Sequence, residues 1–381
     1  MTSTLKVIEA WDAADGIYRA TKGPKAVSRH FQAESQSNLK DLFNFSGLDI
    51  LDSKTGAFFK VKSGFGTIVP GNSPSTNGEY LITLRGTDLK SDWLTDANSG
   101  LQSSRSGKMV HAGFNRVFNE LEPQISRYFS GKNPSVIHCV GHSLGGALAS
   151  LTADWVTTKN IAQAKLYTFG CPRVGLKPFA ERITSNLGAE NIFRVHHDND
   201  FVSLVPIWPF VHIPQPGTTA CLENHGFGTF GAHKMTNYNK SLVGYANQAN
   251  AWESLRAKAP VVSSKREIET WLSLDTASIL CARTLSLIGE AIEYILKAAG
   301  IAGMLTGIVG LTVLDKLSFA LEQAWNGAKE VAGWVEYLIK KIMQLTGTVV
   351  ALGAKLTATF IRWVFKLLFA SVARLVELSL R

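Results

Sequence analysis

The stretch Gly141-His142-Ser143-Leu144-Gly145-Gly146 constrains this chain more than any other. Before it lies Val136-Ile137-His138-Cys139-Val140, an apolar run of strand length. After it, Ala147-Leu148-Ala149-Ser150-Leu151 reads as a helix with very small side chains. A strand that turns sharply into a helix through G-x-S-x-G holds the serine at the tip of the turn with its hydroxyl exposed. Glycines at 141 and 145 leave room for that tight path. Once a histidine takes its proton, such a serine is a nucleophile for a carbonyl carbon. The fold built around this turn is α/β, a mostly parallel sheet flanked by helices.

A nucleophile of this kind needs an acid and then a histidine further along the chain. Lys165 to Gly170 reads as the next strand, closed by Cys171-Pro172-Arg173-Val174-Gly175. Phe179, Ala180, Ile183 and Leu187 are spaced for one face of a helix. Asn191 to His196 reads as another strand and runs into His197-Asp198-Asn199-Asp200. Open α/β sheets assemble their sites beyond the carboxyl ends of strands. Asp198 and Asp200 both lie there, and spacing does not separate them. Three histidines follow. His212 sits in an apolar run and reads as structural, whereas His225 lies in a glycine-rich loop. His233 stands just before a helix carrying Met235, Tyr238, Leu242 and Tyr245. A helix behind a residue holds it better than a loose loop does, so position favours His233 over His225.

Arg85-Gly86-Thr87, Asp92-Trp93, His111-Ala112-Gly113-Phe114, the serine turn, Tyr167 to Gly175 and Asn199-Asp200-Phe201-Val202 follow one another in a familiar order. In order and spacing the chain resembles the class 3 lipases, the fungal triacylglycerol lipase-like family of α/β-hydrolases, over residues 1–255. The resemblance implies that Ser143 is the nucleophile, Asp200 rather than Asp198 the triad acid, and His233 the base. It also implies an oxyanion hole made by Thr87, the residue after Arg-Gly, and by the N–H of Leu144. The activity implied is that of a serine hydrolase of carboxylic esters, of triacylglycerol lipase or phospholipase A type, working through an acyl-enzyme. One departure is Ser203, where the family usually carries proline.

The segment Asp88 to Asp96 alternates charge with large apolar groups and reads as a short amphipathic helix exposing Leu89, Trp93 and Leu94. In the resembling family this stretch is the lid. A second apolar cluster, which includes Val205, Ile207, Trp208 and Phe210, follows the acid and would line an acyl-chain groove; core packing would use the same residues. Apolar walls beside an ester-cleaving centre favour an acyl lipid or phospholipid substrate. No cofactor and no metal are expected. His138 and His142 run from a strand into the turn rather than along one helix, and the chain has no Cys-x-x-Cys pair.

Residues 257–265 read as a linker between the hydrolase-like part, 1–256, and an all-α region, 266–381, which contains no proline. Within the latter, Ala298 to Leu314 is a run of 17 uncharged residues, near the lower bound of about 17 for crossing a bilayer. A membrane span and a buried hairpin are equally open there. Beyond position 339, Lys340, Lys341, Lys355, Arg362, Lys366, Arg374 and Arg381 face one acid, Glu377. That is seven basic minus one acidic, or +6 of the chain's net +9. Wound as one continuous helix, these bases occupy less than half the circumference. Ile342, Ile361, Phe365, Leu368 and Val372 lie opposite. A basic amphipathic helix with aromatic side chains fits an anionic membrane surface. Nucleic acid is not an expected partner, because the apolar face is large and no recognition motif accompanies it.

The first residues lack the apolar core of a secretory signal. Cys139, Cys171, Cys221 and Cys281 are widely spread and read as free thiols. The expectation is therefore a lipid-ester hydrolase made in the cytoplasm without a signal peptide and brought to membranes by its C-terminal helices. Such a chain would suit an antibacterial effector exported by dedicated machinery, with a secretion partner and an immunity protein. Two other readings stay open. One is an intracellular esterase for small esters with an oligomerising tail, and the other a catalytically inactive membrane-active or scaffold protein.

Overall fold

A computed structural model describes residues 3–35, 37–55, 61–86, 100–223, 226, 228–260, 262–274, 279–303, 311–348 and 355–380. Its strands are β1 (Ile50–Thr55), β2 (Val61–Pro70), β3 (Glu79–Leu84), β4 (Leu101–Ser103), β5 (Met109–His111), β6 (Val136–His142), β7 (Gln163–Phe169), β8 (Gly175–Leu176), β9 (Ile192–His197), β10 (Phe210–Val211) and β11 (Ala220–Leu222). Among the described residues they form a seven-stranded sheet in the order β1-β2-β3-β6-β7-β9-β11 and a small sheet in the order β10-β8-β5-β4. From β3 to β11 every pairing of the main sheet is parallel, and β1 and β2 add an antiparallel edge. The fold is α/β, as expected.

Parallel strands need helical crossovers, and these cover both faces. Among the helices of this part are α1 (Val7–Gly16), α2 (Ala112–Phe129), α3 (Leu144–Thr158), α4 (Lys177–Leu187), the one-turn α5 (Gly228–Gly231) and α6 (Met235–Leu242). Ile137, Cys139 and Leu166 face α2, α3 and α4. Their sequence neighbours Val140, Tyr167 and Phe169 face α1 and α6 on the other side. This is the period-two alternation of a strand buried on both faces. Every residue of β6 is buried, and so is every residue of α3 from Leu144 to Val156. Small side chains let α3 lie close against the sheet, and a Cβ at Gly145 would overlap the carbonyl of Leu84.

The last third is helical: α7 (Lys265–Ser273), α8 (Ala282–Ala298), α9 (Val313–Trp325), α10 (Lys329–Leu345) and α11 (Ala358–Leu380). Ser264 caps α7 and Thr312 caps α9, each in a reciprocal box with the acid three residues on. Ile288, Ile292, Leu317, Leu338, Phe365 and Leu368 form one core. That core also takes in Phe201, Val202, Leu204, Val205 and Ile207, the loop directly after Asp200. Burying such a side chain stabilises by about 1.5–3 kcal/mol, so the helices are anchored on that loop. The segment read as a linker is also tied down, since the Cys221 N–H donates to the Lys258 carbonyl at 2.7 Å.

Two expectations about this region are corrected. The basic tail is not one helix: α10 ends at Leu345, Gly347 takes φ +70°, and α11 begins at Ala358. Its apolar side does not face outward either, because Ile342, Ile361, Phe365, Leu368 and Val372 are buried in the shared core. An amphipathic stripe needs an apolar partner, and the neighbouring helices supply one. Lys341, assigned to the basic face, is buried with its Nζ donating to the Leu274 carbonyl. The uncharged run 298–314 is shared between two helices, since Ala298 ends α8 and Val313 opens α9; residues 304–310 lie outside the described residues. Among the described residues no helix is long and apolar enough to cross a membrane.

Candidate active site

Ser143 stands between β6 and α3 with φ 58° and ψ −131°. A non-glycine residue in such a conformation costs about 1–3 kcal/mol and persists only where its surroundings enforce it. Here the Ser143 N–H donates to the Phe169 carbonyl at 3.0 Å, and its own carbonyl accepts from Gly146 N–H at 2.9 Å. The turn is thereby pinned to the end of β7 on one side and to the start of α3 on the other. Ser143 is 1% exposed, and its Oγ has no hydrogen-bond partner among the described residues.

Asp200 and His233 meet beyond the same strand ends. Asp200 follows β9, and His233 stands two residues before α6. Nδ1 of His233 lies 2.9 Å from Oδ2 and 3.0 Å from Oδ1 of Asp200. Nδ1 therefore carries the hydrogen and donates it to the carboxylate, which leaves Nε2 as the proton acceptor. Nε2 is buried and unpartnered among the described residues. Burial alone would raise the Asp200 pKa. The His233 ring and the hydrogen bonds from His233 and Tyr238 outweigh it and hold the carboxyl down to about 2. Asp200 is thus an anion at any working pH. Gly170, at φ +53°, makes room for this pair: a Cβ there would lie 2.7 Å from Asp200 Oδ2 and 2.9 Å from His233 Nδ1.

The structure separates the two acids that spacing left equal. Asp198 is exposed and Asp200 is 1% exposed. Ser203, the departure from the family's proline, closes the turn in another way. Its N–H and hydroxyl both donate to the Asp200 carbonyl, at 3.2 and 2.8 Å. Two guanidiniums, that of Arg194 buried and that of Arg173 half-buried, tie down the same loop. Arg194 donates to the Ser203 carbonyl, and Arg173 to the carbonyls of Leu204 and Pro206. Burial, and then the neighbouring Arg194 charge, push Arg173 down to about 10, which still leaves it a cation at neutral pH.

Sequence reasoning missed two groups that position the site. The Tyr238 hydroxyl donates to Asp200 Oδ2 at 2.8 Å. His142, the residue before the serine, donates from Nε2 to the His233 carbonyl at 2.9 Å. Its Nδ1 then accepts from the Tyr18 hydroxyl at 2.7 Å. Burial, with the neighbouring His233 next, pushes His142 down to about 3, so it stays neutral. The usable signal was burial of Tyr238 on an apolar helix face, since a buried phenol needs a polar partner.

The remaining expected residues divide. Leu144 opens α3, so its N–H has no intrahelical carbonyl to serve and is available to an anion. Thr87 lies outside the described residues, as do Leu89, Trp93 and Leu94 of the expected lid and the alternative base His225. Gly86, just before Thr87, passes beside the nucleophile: a Cβ there would lie 2.9 Å from Ser143 Cβ. Trp208 is half-buried and lines an apolar cleft with Val205, Ile207 and Phe210. His212 is structural as expected, with the Arg173 Nε–H donating to its Nε2 at 3.3 Å. All four cysteines are free thiols. No group of three or more metal-ligating side chains is found among the described residues.

Residues 81–210 match the family model described as Lipase (class 3). The chain carries a class 3 lipase domain. The matched stretch begins within β3 and contains Ser143 and Asp200, while His233 lies beyond it. The lipase domain is 34% identical over 157 residues to secreted mono- and diacylglycerol lipase 1 of Fusarium solani, covering 40% of this chain and 46% of that protein. It is 28% identical over 152 residues to phospholipase A(1) DAD1, chloroplastic, of Arabidopsis thaliana, covering 34% of each. It is also 29% identical over 163 residues to Toxin TseL of Vibrio cholerae, covering 42% of this chain and 23% of that protein. The chain spans less than half the length of these relatives.

Proposed function

We propose that this protein hydrolyses carboxylic esters of acyl lipids, with Ser143, His233 and Asp200 as its catalytic triad. The reading is carried by one observation: His233 Nδ1 lies 2.9–3.0 Å from the Asp200 carboxylate, which leaves Nε2 as the acceptor, and Ser143, whose Oγ like that Nε2 has no hydrogen-bond partner among the described residues, is held at a strained strand-to-helix turn. His233 Nε2 takes the Ser143 proton as Oγ bonds to the ester carbonyl carbon. The oxygen charge that develops is met by the Leu144 N–H and by Thr87. When the tetrahedral species collapses, the C–O bond to the alcohol breaks and the alcohol leaves with the proton from His233. Water, deprotonated by the same Nε2, then attacks the acyl-enzyme and frees the fatty acid and Ser143. Asp200 keeps the hydrogen on Nδ1 and stabilises the imidazolium throughout.

The lipase domain supports ester chemistry, and the glyceride lipase and phospholipase relatives support an acyl glycerolipid substrate. A relative that is itself a toxin fits a toxic role for this chain, and we extend the proposal to an antibacterial effector with an immunity protein and an export partner. We propose that membrane contact runs through the outer face of α11. Trp363, Lys366, Arg374 and Leu378 are exposed there at helical spacing, and Phe230 is exposed on α5 just before His233. Tryptophan beside cations suits the headgroup layer of an anionic bilayer.

The test is a panel of glycerides and phospholipids incubated with wild type and Ser143→Ala, with products resolved by mass spectrometry. Fatty acid released by wild type alone supports the reading. Equal release by both proteins, or release by neither, rejects it. Leakage of vesicles unchanged by Ser143→Ala would favour a membrane-active protein without catalysis.

A further inference from the structure

The first helix of the chain, α1, packs against α6, the helix behind the base. Two side chains from this N-terminal part reach backbone carbonyls beside His233. Trp11, on α1, donates from Nε1 to the Met235 carbonyl at 2.9 Å. Tyr18, on the 3-10 turn Ile17–Lys22 that follows α1, reaches the His233 carbonyl through His142. Its hydroxyl lies 2.7 Å from His142 Nδ1, and His142 Nε2 lies 2.9 Å from that carbonyl. A carbonyl only accepts, so His142 holds its hydrogen on Nε2. The ring is neutral, which leaves Nδ1 as a buried lone pair, and Tyr18 is the donor that meets it. The His142 ring also lies against that of His233, with centroids 4.4 Å apart. Tyr18 borders the nucleophile as well: a Cβ at Gly86 would lie 2.6 Å from its hydroxyl and 2.9 Å from Ser143 Cβ.

We propose that Tyr18 is a positioning residue for the base: by donating to His142 it fixes the Nε2–H tautomer, the one that holds the His233 carbonyl in place. The proposal rests on the ester-hydrolase reading above. Its physical basis is a choice between two forms of one ring. A neutral imidazole carries its hydrogen on either nitrogen, and the partner of one nitrogen decides the state of the other. With the phenol present, Nδ1 has a donor and Nε2–H has an acceptor. Without the hydroxyl the buried Nδ1 lone pair loses its donor, which is costly. The opposite tautomer would turn a lone pair toward the His233 carbonyl and repel it. His233 would keep its bond to Asp200 but lose its backbone anchor, so its Nε2 would drift from the line to Ser143 Oγ. Trp11 holds the Met235 carbonyl two residues on, so the N-terminal part grips the base segment at two points.

The full-length chain tests this in two ways. The first is hydrolysis of a soluble butyryl ester by wild type, Tyr18→Phe, His142→Gln and the double variant. Tyr18→Phe lowers kcat by about tenfold or more with KM little changed, because small displacements of a reacting group are expensive. The glutamine amide offers the His233 carbonyl an N–H that has no tautomer to set. In that background Tyr18→Phe therefore lowers kcat by about twofold at most. The second measurement is the tautomer itself, read from long-range proton–nitrogen NMR correlations in protein labelled with nitrogen-15 at histidine. His142 is expected as Nε2–H in wild type and as Nδ1–H, wholly or in part, in Tyr18→Phe. An Nδ1–H ring in wild type overturns the proposal whatever the variants do. So does an Nε2–H ring unchanged in Tyr18→Phe, or losses in kcat that multiply in the double variant. Absence of hydrolysis in wild type, with the tautomer following Tyr18 as expected, would reject the ester-hydrolase reading and leave the link from Tyr18 to His142 standing.

Discussion

The Tyr238 hydroxyl donates to Asp200 Oδ2 at 2.8 Å, on the carboxylate that also receives Nδ1–H of His233. A second contact holds the phenol oxygen, which accepts from His197 N–H at 3.3 Å. The acid of the pair is therefore braced from the helix that follows the base.

Tyr238→Phe removes that brace and keeps the packing. A hydrogen bond to a charged group contributes about 1.5–3 kcal/mol. The expected outcome is a fall in kcat of about tenfold or more with KM little changed. Asp200 becomes less well stabilised as an anion, so the acid limb of the pH–rate profile moves to higher pH. A lower melting temperature with an unmoved profile would reduce Tyr238 to packing.

Buried neutral histidines make the fold sensitive to mild acid. His111 and His142 are both held to about 3 by burial, against an ordinary value of 6.5. Below 6.5 the unfolded chain takes up these protons and the folded one does not, so stability falls as pH drops from 6.5 toward 3. Each group contributes about 1.4 kcal/mol per pH unit in that window. Asp200 acts lower down. Its carboxyl is held at about 2 against 3.8, and the stability it contributes is lost only as pH falls from 3.8 toward 2. Melting temperature measured between pH 7.5 and 4.5 should decline steadily, and less steeply in His142→Gln. A flat profile would contradict the neutral assignment.

Phe365 is fully buried in the core that joins α9, α10 and α11 to the loop after Asp200. Phe365→Ala should cost about 3–5 kcal/mol. Because the core is shared, the loss should lower the melting of the lipase domain and reduce turnover as well. A lipase domain that melts unchanged while only helical signal is lost would show that the two parts fold apart.

The outer face of α11 carries the proposed membrane contact. Lys366→Gln with Arg374→Gln removes two cations, each contributing about 1 kcal/mol near an anionic surface, so sedimentation with anionic vesicles should weaken by about 30-fold. Trp363→Ala should weaken it again, and salt should do so in wild type. Partitioning indifferent to all three would reject this face.

How much of this was legible depended on the range of the interaction concerned. The serine turn is a local pattern whose glycines and flanking strand and helix sit within one stretch of chain, and it reads directly. Asp200 and His233 were found by order along the chain, but choosing Asp200 over Asp198 took the family resemblance; three-dimensional burial now separates them. Tyr238 passed as one apolar position among several, because its partner lies 38 residues away in sequence. The tail was misread for a related reason. Periodicity reports that α11 has an apolar side, yet it does not say whether bilayer or protein covers it. Here Phe201, Val202 and Leu204 cover it, and nothing local in either segment announces the pairing.

The most direct measurement is reaction with an alkyl fluorophosphonate, followed by intact mass and peptide mapping. The account predicts one adduct per chain, carried on Ser143, with Ser143→Ala unlabelled and His233→Ala labelled slowly if at all. A folded wild-type protein that takes no label, or takes it at another residue while hydrolysis survives Ser143→Ala, would contradict it.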